Sequence, residues 1–128
     1  MTLERILYAE DEPDIQAVAR VALEMVGGFT VRICSSGQEA LETAPGFAPQ
    51  LILLDVMMPG MDGPTTLQNL RRIPAFTTTP VIFMTAKVQP AEVAHYTSLG
   101  AIGVIPKPFD PMALAGQIRA LWQEVTNG

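Results

Sequence analysis

The sequence is poor in cysteine, which limits the sites and compartments open to it. Cys34 is the only cysteine among 128 residues, so an internal disulfide and a cysteine-based zinc site are both excluded. No apolar run approaches the ~20 residues that a membrane-spanning helix needs. The charged residues Glu4 and Arg5 fall where a signal peptide would carry its apolar segment. We therefore expect a cytoplasmic protein with no membrane contact.

Positive charge is also scarce. Eight Lys and Arg residues stand against thirteen Asp and Glu residues, and Arg71 and Arg72 form the only adjacent basic pair. Proteins that bind nucleic acid directly carry clustered basic residues, which neutralise the phosphates. We therefore expect no direct nucleic-acid binding, and the positions of the acidic residues become the useful signal.

Short apolar runs recur along the chain and predict strands. The three strongest are continuous rather than alternating, as expected for strands buried on both faces: 6–9, 51–54 and 81–84. Two weaker candidates are 29–34 and 101–105.

Helical patterns lie between these runs. Five apolar residues at helical spacing predict the first helix: Ile15, Val18, Ala19, Ala22 and Val26. Ser36 followed by Glu39 forms a capping box, which predicts the start of the second helix. Pro64 suits the first turn of the third helix, and Pro90 would open a fourth that Gly100 closes. Helical spacing near the end of the chain predicts a fifth.

Strand and helix therefore alternate five times, within one domain over residues 1–128. This order predicts an α/β fold with a parallel sheet, right-handed crossovers and helices on both faces. Ligands of such sheets bind beyond the carboxyl ends of the strands, where the strand order reverses. Functional residues are therefore expected directly after the apolar runs.

Polar side chains follow four of the five predicted strands. They are Glu10, Asp11 and Glu12 after the first strand, Asp55 after the third, Thr85 after the fourth and Lys107 after the fifth. Carboxylates that converge on one crevice repel one another, and a hard divalent cation such as Mg²⁺ relieves that repulsion. A carboxylate nucleophile, a metal, a hydroxyl and an ammonium are the parts that phosphoryl transfer to a carboxylate requires.

Four segments carry a resemblance to a known family. They are ILYAEDEP at 6–13, LDVMMPGMDG at 54–63, MTA at 84–86 and KPF at 107–109. Together and in this order they resemble the receiver domain of two-component response regulators, of the chemotaxis-regulator kind. The segment from Asp55 to Gly63 is highly specific, whereas the acidic pair or the Lys-Pro alone would be weak.

The resemblance implies a flavodoxin-like fold with five parallel strands in the order 2-1-3-4-5. It also implies that Asp55 is the phosphoacceptor. Glu10, Asp11, Asp55 and the backbone carbonyl of Met57 would hold Mg²⁺ or Mn²⁺, with Asp11 binding directly and Glu10 through water.

The resemblance further implies that Thr85 and Lys107 contact the phosphoryl group, and that the Lys107-Pro108 peptide bond is cis. The expected phosphodonor is a histidine kinase or a histidine phosphotransfer protein. An unidentified downstream target would bind the face made by the fourth helix, the fifth strand and the fifth helix. The domain would be a signalling phosphoacceptor and not an enzyme, although it would assist its own phosphorylation and slow dephosphorylation.

The chain departs from the family pattern at the position three residues before the conserved lysine. Most receivers carry Tyr or Phe there, whereas this chain has Val104, so the usual aromatic switch is in doubt. Pro106 cannot donate to a strand ladder, which predicts that the fifth strand lies at an edge of the sheet. Met57 and Lys87 stand at positions that tune self-hydrolysis in the family.

Two alternative functions remain open from the sequence. An aspartyl-phosphate phosphohydrolase would carry a second Asp two residues after the nucleophile, where this chain has Met57. A degenerate receiver would serve only as a docking module, and the missing aromatic is its one support.

Overall fold

The computed structural model describes residues 2–127 and contains one sheet of five parallel strands. The strand order is β2-β1-β3-β4-β5, which confirms the predicted fold class. The strands are β1 Arg5–Ala9, β2 Thr30–Cys34, β3 Leu51–Asp55, β4 Val81–Thr85 and β5 Gly103–Pro106.

Five α-helices connect and cover the strands. They are α1 Pro13–Arg20, α2 Gly37–Phe47, α3 Gly63–Arg71, α4 Pro90–Ser98 and α5 Leu114–Asn127. The predicted capping box is present, because the Ser36 hydroxyl accepts the Glu39 N–H at 3.0 Å at the start of α2. Within residues 2–127, no helix has both the length and the apolarity to cross a membrane.

The sheet separates two hydrophobic cores, which explains why the apolar runs are continuous. In β1, Ile6 and Tyr8 face the core covered by α1 and α5, whereas Leu7 and Ala9 face the core covered by α2, α3 and α4. Successive residues of a strand point to opposite faces, so a strand with a core on each side needs an apolar residue at nearly every position.

The end of the first helix differs from the prediction. After α1 the chain continues as a π-helix over Val21–Val26, where the Gly27 N–H reaches back five residues to the Ala22 carbonyl at 3.1 Å. The wider turns rotate the buried face away from the predicted 3.6-residue stripe. Val26, inside the π-helix, is consequently 41% exposed rather than part of the core, and Val18 in α1 is 44% exposed.

The fifth strand starts later than predicted. Gly100 has a φ of +110°, and the Ala101 N–H bonds back to the Tyr96 carbonyl at 3.3 Å to close α4. The strand therefore begins at Gly103 rather than at residue 101. It lies at an edge of the sheet, which confirms the position predicted from Pro106.

Candidate functional site

The predicted site residues lie at one edge of the sheet, because all five strands run in the same direction. Glu10 directly follows β1, Asp55 and Thr85 are the last residues of β3 and β4, and Lys107 directly follows β5. The strand order reverses between β1 and β3, since the chain adds β2 on one side of β1 and β3 on the other. This is where parallel α/β sheets bind their ligands.

Three carboxylates meet at that edge. One carboxylate oxygen from each of Glu10, Asp11 and Asp55 lies within 4.8 Å of the others. Glu10 is fully buried, Asp55 is 4% exposed and Asp11 is half-buried. Burial and the neighbouring charge of Glu10 raise the pKa of Asp55 to about 6, although Lys107 works in the opposite direction. The carboxylates are therefore held together against their mutual repulsion.

This donor set fits a hard divalent cation. Mg²⁺ prefers oxygen ligands and binds through one or two carboxylates while keeping several waters. The three carboxylates supply such oxygens, and the half-buried Asp11 leaves one side of the cluster open to solvent. These residues could hold Mg²⁺ or Mn²⁺.

Lys107 brings a positive charge into the acidic cluster. Its Nζ lies 2.7 Å from Glu10 Oε1 and 3.2 Å from Asp55 Oδ1. Burial works to lower the pKa of Lys107, but the hydrogen bonds and charges of Glu10 and Asp55 outweigh it and raise the pKa. The Lys107-Pro108 peptide bond is cis, as predicted.

Thr85 and Met57 border a small pocket beside these charges. The pocket has a volume of about 150 Å³ and is lined by Glu12, Asp55, Met57, Thr85, Ala86 and Lys107. Thr85 is 4% exposed, and its hydroxyl accepts the Lys87 N–H at 3.1 Å. The Met57 side chain is 75% exposed, so it stands at the mouth of the pocket.

The loop after β3 holds Asp55 through backbone packing that the sequence did not reveal. Gly63 begins α3, and its N–H donates to the Val56 carbonyl at 2.9 Å. A Cβ at Gly63 would lie 2.6 Å from the Asp55 carbonyl oxygen. Asp62 caps α3 by accepting the Thr65 N–H at 2.8 Å. Gly63 therefore allows α3 to begin directly against the strand end that carries Asp55.

Tyr8 also contacts the carboxylate cluster, which the sequence pattern did not predict. It is fully buried in β1, and its hydroxyl donates to Glu10 Oε1 at 3.2 Å. The sequence alone predicts only that Tyr8 is a buried residue of the first strand. The available signal was the two-residue spacing between Tyr8 and Glu10. Residues two apart on a strand point to the same face, which brings these two side chains together.

The position that departs from the family pattern lies on the α4 side of the sheet. Val104 packs partly buried against the core that contains Tyr96 and Phe83. The Tyr96 ring is 5.2 Å from that of Phe83, tilted by 56°. On this side α4 and β4 supply an aromatic pair, whereas β5 supplies none.

Comparison with known proteins gives one consistent result. The family model for the response regulator receiver domain matches residues 6–119. The chain is 35% identical over 120 residues to the probable transcriptional regulator ycf27 of Guillardia theta, covering 94% of this chain and 46% of the relative. It is 33% identical over 116 residues to the response regulator Rre1 of Synechocystis sp., covering 91% and 50%. The chain thus spans about half the length of these curated relatives.

The fold is also that of a solved chemotaxis protein. The structure of CheY4 from Vibrio cholerae superposes with a TM-score of 0.86 at 26% identity, covering 94% of this chain and 99% of that one. The strand order, the helices on both faces and the sequence match therefore agree with one another.

Proposed function

The chain belongs to the family of response-regulator receiver domains, and from this premise we propose that Asp55 accepts a phosphoryl group with the help of Mg²⁺. Receiver domains of response regulators are signalling proteins of two-component systems. The proposal rests on one observation above all: Glu10, Asp11 and Asp55 meet within 4.8 Å, with the Lys107 ammonium among them.

The chemistry is a displacement at phosphorus. An Asp55 carboxylate oxygen attacks the phosphorus, the bond to the donor nitrogen breaks, and the nitrogen keeps the electron pair, leaving an acyl phosphate on Asp55. Glu10, Asp11, Asp55 and the Met57 carbonyl would hold Mg²⁺. When bound, Mg²⁺ neutralises charge on the phosphoryl oxygens.

Two further residues would stabilise the transferred group. Lys107 now pairs with Glu10 and Asp55, and its ammonium would move to a phosphoryl oxygen once Asp55 carries the phosphate. Thr85 lines the same pocket and would donate its hydroxyl to another oxygen. Both contacts would place protein donors on the phosphoryl oxygens in place of water, and such charge stabilisation is the main contribution that a protein makes to phosphoryl transfer.

The partners follow from the same proposal. A histidine kinase or a histidine phosphotransfer protein would supply the phosphoryl group, and the domain would act in the cytoplasm. Phosphorylation would shift the population of two states of the face made by α4, β5 and α5, where a target protein binds. The domain would be a phosphoacceptor that assists its own phosphorylation and slow dephosphorylation, without turning over a separate substrate.

The experiment is phosphorylation by a small donor. Radiolabelled acetyl phosphate should label the wild-type chain only when Mg²⁺ or Mn²⁺ is present, and Asp55→Asn should abolish the labelling. Asp110→Asn is the matched control, because Asp110 is an exposed aspartate outside the acidic cluster. Equal labelling of wild type and Asp55→Asn would refute the assignment.

The same preparation separates the two alternative functions. A phosphohydrolase would release inorganic phosphate from phosphate esters in steady turnover. A docking-only domain would show no change in its amide NMR spectrum when Mg²⁺ and beryllium fluoride are added. The comparisons favour neither alternative.

A further inference from the structure

We propose that the Tyr8 hydroxyl is a positioning group that holds the Glu10 carboxylate in the metal cluster. This inference rests on the phosphoryl-transfer function proposed above and concerns a residue outside the predicted site.

The contacts of Glu10 carry the argument. Its side chain is fully buried, and three groups donate to it. Lys107 Nζ and the Tyr8 hydroxyl both reach Oε1, at 2.7 and 3.2 Å, while the Glu12 N–H reaches Oε2 at 3.1 Å. A buried carboxylate is stable only while it is paired and hydrogen-bonded. Each of the three donors therefore matters to where Glu10 points.

The three donors differ in whether they keep their hydrogen bond to Glu10 during the proposed reaction. In the proposed reaction the Lys107 ammonium leaves Glu10 for a phosphoryl oxygen. Oε1 then keeps one side-chain donor, the Tyr8 hydroxyl, and Oε2 keeps the Glu12 N–H. Tyr8 lies on β1, an interior strand between β2 and β3, so it remains in place when Lys107 moves. Without the Tyr8 hydroxyl, Glu10 Oε1 would then be buried with no donor from the protein.

The environment of Tyr8 suits a permanent donor. A phenolic hydroxyl has an ordinary pKa of about 10, so it is a hydrogen-bond donor at neutral pH. Its ring lies in the core covered by α1 and α5, where a phenylalanine would fill the same space. A purely structural role would need the ring alone. The hydroxyl aimed at Glu10 is the part that the core does not require.

The test is a direct measurement of Mg²⁺ binding to the unphosphorylated chain. Amide shifts are followed by ¹H–¹⁵N NMR during Mg²⁺ titration of wild type, Tyr8→Phe and Tyr96→Phe. Tyr8→Phe should raise the Kd for Mg²⁺ about tenfold, the usual effect of removing a group that orients a metal ligand. Tyr96→Phe removes the same atom from the chain's other tyrosine, on α4, and should leave the Kd unchanged.

A second readout distinguishes positioning from a general loss of structure. At saturating Mg²⁺, the rate of labelling by acetyl phosphate should stay within about twofold of wild type, because the bound metal then fixes Glu10. A Kd for Tyr8→Phe less than about threefold above wild type would overturn the inference, and so would an equal loss in both readouts. If wild type itself binds no Mg²⁺ and takes no label, the proposed function fails instead.

Discussion

Lys107 Nζ lies 2.7 Å from Glu10 Oε1, so the acidic cluster already contains a cation before any metal binds. The same ammonium is 3.2 Å from Asp55, the proposed phosphoacceptor. An incoming Mg²⁺ would meet a site whose negative charge is partly neutralised. Lysine and metal therefore oppose each other electrostatically, although both serve phosphoryl transfer in the proposed mechanism.

Replacing Lys107 should separate its effect on metal binding from its effect on phosphoryl transfer. Lys107→Met removes a positive charge beside the metal ligands, while Tyr8 and the Glu12 N–H still hold Glu10. We expect the Kd for Mg²⁺ to fall roughly tenfold. A positive charge within a few ångströms of the metal ligands repels the cation by more than about 1 kcal/mol, even when water screens it. The rate of labelling by acetyl phosphate should nevertheless fall, since a phosphoryl oxygen loses its cation.

Arg72→Met is the control for Lys107→Met. Arg72 is exposed at the end of α3 that lies away from Asp55, so the same change in net charge there is screened by solvent and should alter the Kd for Mg²⁺ much less. A Kd in Lys107→Met equal to or higher than that of wild type would contradict the proposed opposition between lysine and metal.

The raised pKa of Asp55 makes the metal-free protein pH-sensitive. In the folded chain this pKa is about 6, above the value near 4 expected for an unfolded aspartate. The folded state therefore holds the Asp55 proton more tightly, and folding loses stability as the pH rises from about 4 through 6. Asp55→Asn has no proton to lose and should avoid this loss.

Urea unfolding without Mg²⁺ measures this difference. At pH 8, Asp55→Asn should be more stable than wild type by about 2 kcal/mol, and the difference should disappear toward pH 4. Asp110→Asn is the control for losing one exposed carboxylate. A stability difference between Asp55→Asn and wild type that stays constant from pH 4 to pH 8 would show that Asp55 does not carry the effect.

The fold and the grouping of the candidate site residues were predictable because both follow from local pattern and strand direction. Continuous apolar runs marked the buried strands, and Glu10 and Asp55 followed two of them. Tyr8 was missed because its hydroxyl reaches the cluster only through its hydrogen bond to Glu10, on the same face of the sheet. The π-helix after α1 was missed because Val18 and Val26 fit the ordinary helical spacing.

The close approach of Gly63 to Asp55 depends on how the loop between them folds back, which the sequence pattern does not predict. A Cβ there would lie 2.6 Å from the Asp55 carbonyl oxygen and 3.0 Å from Val56 Cα, both backbone atoms. Gly63→Ala should therefore displace the end of β3. We expect a loss of about 1–3 kcal/mol in the free energy of unfolding, as for other overpacked sites, together with slower labelling.

Gly46→Ala is the comparison for Gly63→Ala. Gly46 lies in α2, and a Cβ there would meet no atom within 4 Å. Alanine favours helix more than glycine does, so this variant should match or exceed the wild-type stability by up to about 1 kcal/mol. Similar stability of the two variants in urea unfolding would refute the close approach at Gly63.

Met57 should set the lifetime of the phosphorylated state. Its side chain is 75% exposed at the mouth of the pocket that Asp55, Thr85 and Lys107 line, so it stands where water would approach the phosphoryl group. Met57→Asn exchanges an apolar cover for a side chain that can hydrogen-bond a water. We expect several-fold faster decay of the radiolabelled phosphoprotein after the donor is removed.

The decay experiment needs a methionine that is equally exposed but remote from the pocket. Met25 is 80% exposed on the π-helix after α1, so Met25→Asn makes the same chemical change without touching the pocket. Its decay should match that of wild type. If Met57→Asn loses its label no faster than Met25→Asn, the Met57 side chain does not shield the phosphoryl group, and the lifetime must be set by the other pocket residues.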